Sequence, residues 1–322
     1  MEKATIKGID IGFNSTKVYN GSLRIFESVE SPLFQIRYGL SEVNGKSYRF
    51  VEPECVIGNA ALRFGNAIRR YDDNWVESET WYRCFLAAAV GDGHPPEEVV
   101  VGLPVENFQE LKGIVKARLE KYHYYQLEGS ERQGFLLSRV GVTMQPFGTL
   151  VHLALDDSGK ERDPVYANGN IGIIDIGGKT TNLLRAVELV EIPQETVSFP
   201  VGGWQAVSFL KSRLKEEYPE LSLPDHVLDQ ALRTRKIRYN GREQKIGGIV
   251  DDAIQTTSNQ IHAAMSQVWD LDKMASFDKI VLTGGGALLF GKTLQSFLSR
   301  AEMVNDPVEA NVRGYRKLAL FG

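Results

Sequence analysis

In residues 171–184, I-G-I-I-D-I-G-G-K-T-T-N-L-L, the carboxylate of Asp175 is followed by Gly177, Gly178, Lys179, Thr180 and Thr181, with apolar residues on both sides. Glycine reaches backbone conformations closed to other residues and lets a ligand come close, and successive N–H groups in such a turn form a nest that attracts anions. Phosphate is the anion that suits it. A carboxylate tolerates phosphate beside it only with a cation between them, which makes Asp175 a candidate to hold Mg2+ through the ion's water shell. Taken alone, the pattern is equally that of a plain structural hairpin. The chain repeats it, however: residues 6–18, I-K-G-I-D-I-G-F-N-S-T-K-V, place Asp10 and Gly12 before Phe13, Asn14, Ser15, Thr16 and Lys17. Two acidic hairpins in two halves of one chain point to duplicated lobes facing one nucleotide. A third glycine element, residues 279–290, runs from an apolar strand through Gly284, Gly285 and Gly286 into a helix, which suits the close approach of a base, a sugar or a phosphate.

The elements that must position these turns follow from hydrophobic period and turn chemistry. Residues 4–57 alternate apolar and polar with turns at Asn20-Gly21 and Asn44-Gly45, which predicts a meander of short strands. Residues 60–74, with Arg63, Arg69 and Arg70, read as exposed helix and loop, either a solvated face or a subunit contact. A core-facing helix follows at 78–90, then a buried parallel strand at 98–104 and a helix at 107–120. Tyr122, Tyr124 and Tyr125 suggest a strand packed on its neighbours, and 139–144 the last strand of the first half. Residues 156–170 form the clearest linker. The second half reads as the Asp175 hairpin, a third strand at 188–199, a helix opened by Gly202 and Gly203, a helix at 224–235, a hairpin turning on Asn240-Gly241, and a long helix to about Trp269 before the strand at Ile280. Strand and helix alternate in each half, as in doubly wound α/β lobes.

Composition narrows the function classes. The 322 residues, 43% hydrophobic and 24% charged, are enough for two globular domains. A net charge of -4 argues against a dedicated nucleic-acid binder, which needs a basic face. Cys55 and Cys84 have no paired spacing and the five histidines show no ligand spacing, so neither a disulfide framework nor a zinc site is expected, and a reducing cytoplasm is the simplest setting. No apolar run has the roughly 20 residues that span a bilayer, and neither signal-peptide anatomy nor a basic amphipathic tail is evident.

With these motifs in order, the chain resembles the actin, Hsp70 and sugar-kinase ATPase superfamily over almost its whole length. In those terms Asp10 to Lys17 looks like the first phosphate motif, Asp175 to Thr181 the second, and Gly284 to Gly286 the adenosine motif. Residues 142–153 and 305–318, the latter with Ala310, Asn311 and Gly314, resemble the two connecting segments. G-I-D-I-G-F-N-S-T-K-V and V-V-V-G-L-P-V at 99–105 are most similar to plasmid-segregation actins of the ParM/StbA type and to archaeal actin-like proteins. Phe13 departs from the family, since eukaryotic actins place a serine there, and shifts the donor role to Asn14, Ser15 or Thr16. Asn182 departs too, standing where several members carry a second aspartate.

The resemblance implies an α/β, actin-like (ribonuclease H-like, duplicated) two-lobed fold with nucleotide in the interlobe cleft, lobe I being 1–160 plus 306–322 and lobe II 161–305. It implies ATP, with GTP the alternative, and Mg2+ held through water by Asp10 and Asp175. Contacts to the nucleotide would come from the three turns, from Gly202 and Gly203, and from Gln230 and Arg233, which match loosely the purine and ribose contacts of the family. Lys17, seven residues after Asp10 as in the family, would face phosphate, and Lys179 either phosphate or solvent. Gln145 matches the glutamine or glutamate at the first connection and, with Asp10 and Asp175, completes the catalytic set. An uncharged amide can orient water without removing its proton far, which suits slow hydrolysis rather than a kinase's base catalysis; the alternative is that Gln145 merely caps the helix at Pro146. Three functions stand: an ATP-driven filament that positions plasmid DNA through a DNA-binding adaptor, with no direct contact to nucleic acid or membrane; a small-molecule kinase; and a non-polymerising nucleotide-binding regulator.

Overall fold

The computed structural model describes residues 5–35, 47–65, 67, 69, 70 and 74–321. In chain order the first half contains β1 (Ile6–Ile11), β2 (Ser15–Tyr19), β3 (Leu23–Glu27), β4 (Glu30–Ser31), β5 (Ser47–Glu52), β6 (Cys55–Gly58), α1 (Asn59–Phe64), α2 (Glu79–Val90), β7 (Glu98–Leu103), α3 (Phe108–Leu119), β8 (His123–Leu127), β9 (Gln133–Phe135), β10 (Arg139–Met144) and α4 (Gln145–Ala154). The second half continues with α5 (Pro164–Asn168), β11 (Asn170–Ile176), β12 (Thr181–Val187), β13 (Val190–Glu191), β14 (Val197–Phe199), α6 (Gly203–Glu217), α7 (Asp225–Thr234), β15 (Lys236–Tyr239), β16 (Arg242–Lys245), α8 (Gly247–Ser266), α9 (Leu271–Ser276), β17 (Lys279–Thr283), α10 (Ala287–Phe297), β18 (Ala301–Met303) and α11 (Ala310–Phe321). The chain separates into two compact units, Met1–Ala167 with Glu309–Gly322, and Asn168–Val308.

The first unit is built on a sheet of order β10-β7-β1-β2-β3, with β7 parallel to both β1 and β10. Side chains alternate between its faces. Ile9 and Ile11 join the core made with α2 and α3, while Gly8 faces α11. Asp10, two residues from Gly8, therefore points to the α11 face. Ser78 caps α2 by accepting from the Trp81 N–H, as a serine ahead of an amphipathic run should. The meander expected over residues 4–57 is instead divided: β1, β2 and β3 belong to this sheet, whereas β4, β5 and β6 join β8 and β9 in a second one. The turn expected at Asn44-Gly45 lies outside the described residues. Nor are residues 60–74 simply solvated. Ala60 and Ala61 are buried, and Arg69 is half-buried against Glu27. Of the three tyrosines near β8, only Tyr125 packs inward, while Tyr122 and Tyr124 are exposed.

The second unit repeats the plan. Its sheet runs β13-β12-β11-β17-β18, with β11 antiparallel to β12 and parallel to β17. Ile174 and Ile176 enter the core formed with α6, α7, α8 and α10. The segment expected to be a linker contains α5 and an antiparallel bridge between Leu155 and Glu161. The single third strand expected at 188–199 is broken. Glu188 and Leu189 both take positive φ, 51° and 61°, so β12 turns straight back into β13, and a short 3-10 turn intervenes before β14. Two such angles are the signature of a type I′ hairpin, normally announced by Asn-Gly. Glu-Leu carries no such signal.

Candidate functional site

The two acidic turns are superimposable in register. In the first, Asp10 pairs with Lys17 and Ile11 with Thr16, leaving residues 12–15 as the turn, closed by the Gly12 N–H donating to the Ser15 carbonyl at 3.2 Å. In the second, Asp175 pairs with Asn182 and Ile176 with Thr181, leaving residues 177–180, closed by Gly177 N–H to the Thr180 carbonyl at 2.8 Å. Both aspartates are almost wholly buried at the last position before the turn but one, with 4% and 5% exposure. The matched threonines are buried as well, Thr16 sharing a hydrogen bond with the Ser28 hydroxyl and Thr181 donating to the Val201 carbonyl.

Each turn is held from behind by its carbonyls. The Asn14 carbonyl accepts from the Ser28 N–H and from the Arg69 guanidinium at 2.5 Å, which also meets Glu27. Trp75 stacks on Phe13 with ring centroids 5.7 Å apart and donates its indole N–H to the Ile11 carbonyl. In the second turn the Gly177 and Gly178 carbonyls accept from the N–H groups of Gly203 and Trp204 at the start of α6. A trans peptide aims its carbonyl and the next N–H in opposite directions. The N–H groups of Ser15, Gly178 and Lys179 therefore point away from these supports, where an incoming anion would meet them.

The remaining expected contacts divide. Gly202 and Gly203 have their N–H groups engaged within the unit, by the Gln205 side chain and Gly177, and a Cβ on Gly202 would lie 2.7 Å from the Gly177 carbonyl. They allow α6 to press against the turn. Gly284, at φ 84°, donates to the Pro307 carbonyl, and Gly286 donates to the Ile176 carbonyl; a Cβ on Gly284 would overlap Asp175, and one on Gly286 would overlap Ile176. Gly285 alone faces open space. Gln230 and Arg233 are exposed on α7, with Arg233 paired to Asp229, and no described contact joins them to the Asp175 turn.

Gln145 is the first residue of α4, whose N-cap is Met144, so its side chain does not cap the helix. Its Nε2 donates to Asp10 Oδ1 at 3.1 Å, and Lys17 Nζ donates to Asp10 Oδ2 at 2.8 Å. Only the NH2 end of an amide can donate to a carboxylate, so the bond fixes which way Gln145 points.

The family models match the same regions. That for the actin-like protein N-terminal domain covers residues 8–148, and that for the archaeal actin homologue MreB-like C-terminal domain covers residues 173–296. The chain is an actin-like protein. Its fold agrees with solved structures of low sequence identity. It is similar to an archaeal actin homologue, Ta0583, solved in complex with ADP, at TM-score 0.78 and 19% identity over 98% of this chain and 99% of that one. The ParM of a 15-stranded filament from Clostridium botulinum gives TM-score 0.79 and 20% identity over 99% of both chains, and MamK in a double helical filament 0.71 and 17% over 98% of both. A search of curated protein sequences finds no match. Among the described residues of this actin-like protein no helix is long and apolar enough to cross a membrane, and no cluster of three or more His, Cys, Asp or Glu could form a metal centre by itself. Asp10 and Asp175 each offer a single carboxylate beside the N–H-rich turn of their own unit, hard-oxygen chemistry that fits Mg2+ bound through water to a phosphate, and the ammonium of Lys17 already sits as a cation on Asp10.

Proposed function

We propose that this actin-like protein binds ATP with Mg2+, hydrolyses it slowly, and assembles into filaments that position plasmid DNA through an adaptor protein. The observation that carries the nucleotide part is the repetition, in one register, of a buried aspartate followed by a four-residue turn whose N–H groups are aimed outward. In each unit the turn presents N–H groups suited to phosphate. The carboxylates of Asp10 and Asp175, each beside its own turn, have the chemistry to hold the water shell of a Mg2+ ion, which would neutralise phosphate charge. Gln145, oriented by its bond to Asp10, presents Oε1 as the end that accepts a hydrogen bond from the attacking water, so the side chain positions rather than deprotonates it. Assembly is supported by the filament-forming ParM and MamK of similar fold, and the plasmid cargo by the sequence resemblance.

Calorimetry and phosphate release test the reading together. Gln145→Ala is expected to keep ATP affinity near normal and to slow turnover by about 10-fold or more, the scale of losing a positioning group. Asp10→Ala and Asp175→Ala are expected to weaken Mg2+-ATP binding itself. A wild-type protein that does not bind ATP refutes the reading.

A further inference from the structure

α11 reaches the first turn of α4 with two side chains that are themselves one helical turn apart. Asn311 Oδ1 accepts from the Thr149 N–H at 3.2 Å and from the Thr149 hydroxyl at 2.7 Å. The Tyr315 hydroxyl donates to the Gln145 carbonyl at 3.3 Å. A regular helix pairs that N–H and that carbonyl, four residues apart, with each other. α11 thus grips both ends of the hydrogen bond that closes the turn carrying Gln145.

The path of the Tyr315 ring is lined by glycines. A Cβ on Gly102 of β7 would overlap the Tyr315 hydroxyl, one on Gly148 of α4 would overlap its ring, and one on Gly8 of β1 would lie 3.1 Å from its Cβ. Tyr315 has 0% exposure. The last parallel pair of β1 and β7 is Ile9 with Val101, so the next residues on the two strands are Asp10 and Gly102. One aromatic side chain therefore rests on the strand carrying Asp10, on its neighbour, and on the helix carrying Gln145. At the position in β17 corresponding to Gly102, the second unit has Thr283, whose hydroxyl donates to Pro307.

From this geometry we propose that Tyr315 is a positioning residue for hydrolysis: its hydroxyl, seated over Gly102, sets the first turn of α4 and so aims the Gln145 amide at Asp10. The proposal rests on the reading of Gln145 given above. It assigns a role in turnover to a side chain that is wholly buried.

The test is Tyr315→Phe, which removes the hydroxyl and keeps the ring, measured beside Gln145→Ala and the double variant. Tyr315→Phe is expected to lower kcat by about 3- to 10-fold with KM for ATP unchanged, and to shift Tm by no more than about 2–4 °C, the scale of one lost hydrogen bond. In the double variant, hydrolysis is expected to be no slower than in Gln145→Ala alone, because both substitutions remove one function. The Gln145 side-chain amide resonances should move in Tyr315→Phe. If Gln145→Ala is slow and Tyr315→Phe is not, the positioning role is wrong and the reading of Gln145 stands. Additive losses, or a fall in Tm far beyond the stated range, also overturn it, since the hydroxyl then acts elsewhere or holds the fold. Wild-type hydrolysis in Gln145→Ala overturns both.

Discussion

The two lysines of the first hairpin region show how differently one residue type can be used. Lys17, which the resemblance directed to phosphate, pairs with Asp10 across the strands at 2.8 Å. Lys7, on the opposite face of β1, is fully buried and gave no signal in the sequence: its ammonium meets Asp92 at 2.6 Å and the Ala89 and His94 carbonyls at 2.7 Å, the first of these at the C-terminus of α2. Burial pulls Lys7 below its usual pKa against the pull of Asp92, while the Lys7 hydrogen bond and charge overcome burial and hold Asp92 below the carboxylate range. Asp92→Asn leaves that ammonium facing a neutral amide and is expected to cost about 3 kcal/mol, the lower end for a buried pair because Asp92 is partly exposed, read as a fall in the urea midpoint with unchanged slope. His152 supplies a pH dependence. Burial, then the charges of Lys317, Arg313 and Arg162, against Asp157, bring its pKa from 6.5 to about 4. The unfolded chain therefore takes up the proton first, and stability is expected to fall as pH drops from 6.5 towards 4. Denaturation at pH 7 and pH 5 should show a smaller difference in His152→Gln than in the wild type. Arg69 escaped the sequence for another reason: its partners, Asn14 and Glu27, lie 55 and 42 residues away, and an arginine among polar neighbours reads as solvated.

At the scale of elements, the parts that were legible are those whose chemistry is local. The Asp10 and Asp175 hairpins, the strand–glycine–helix element at 279–290 and the capped helix α2 each announce themselves within about 15 residues. The elements that were misread depend on partners elsewhere: the allocation of β4, β5 and β6 to a second sheet, and the β12–β13 turn that needs positive φ without glycine. The third glycine element refines one expectation. Gly284 and Gly286 are excluded from substitution by Asp175 and Ile176, whereas Gly285 faces open space. Gly285→Val is therefore expected to keep its melting temperature and, if the nucleotide lies against this turn, to lose ATP affinity by about 10-fold or more. Gly286→Val should instead lose stability whether or not ATP is present. Wild-type affinity in a folded Gly285→Val protein would place the nucleotide elsewhere.

For the molecule as a whole, duplication could be read from two turns of like spacing, but assembly has no motif, and its reading rests on proteins of similar fold. If bound ATP favours assembly and its hydrolysis reverses it, head-to-tail contacts that do not close into a ring give helical polymers. Gln145→Ala is then expected to form filaments with ATP that outlast those of the wild type, followed by light scattering over time. A wild-type protein that hydrolyses ATP yet stays monomeric with ATP and with ADP would argue for one of the non-filament functions. The return of α11 to the first unit has a consequence for biosynthesis. Residues 168–308 are encoded between the two parts of that unit, so β1 and β7 lack the tyrosine that fills their glycine slot until the whole of the second unit has been synthesised. The turn of α4 that carries Gln145 therefore gains its tyrosine from the segment of the first unit that is synthesised after the whole of the second.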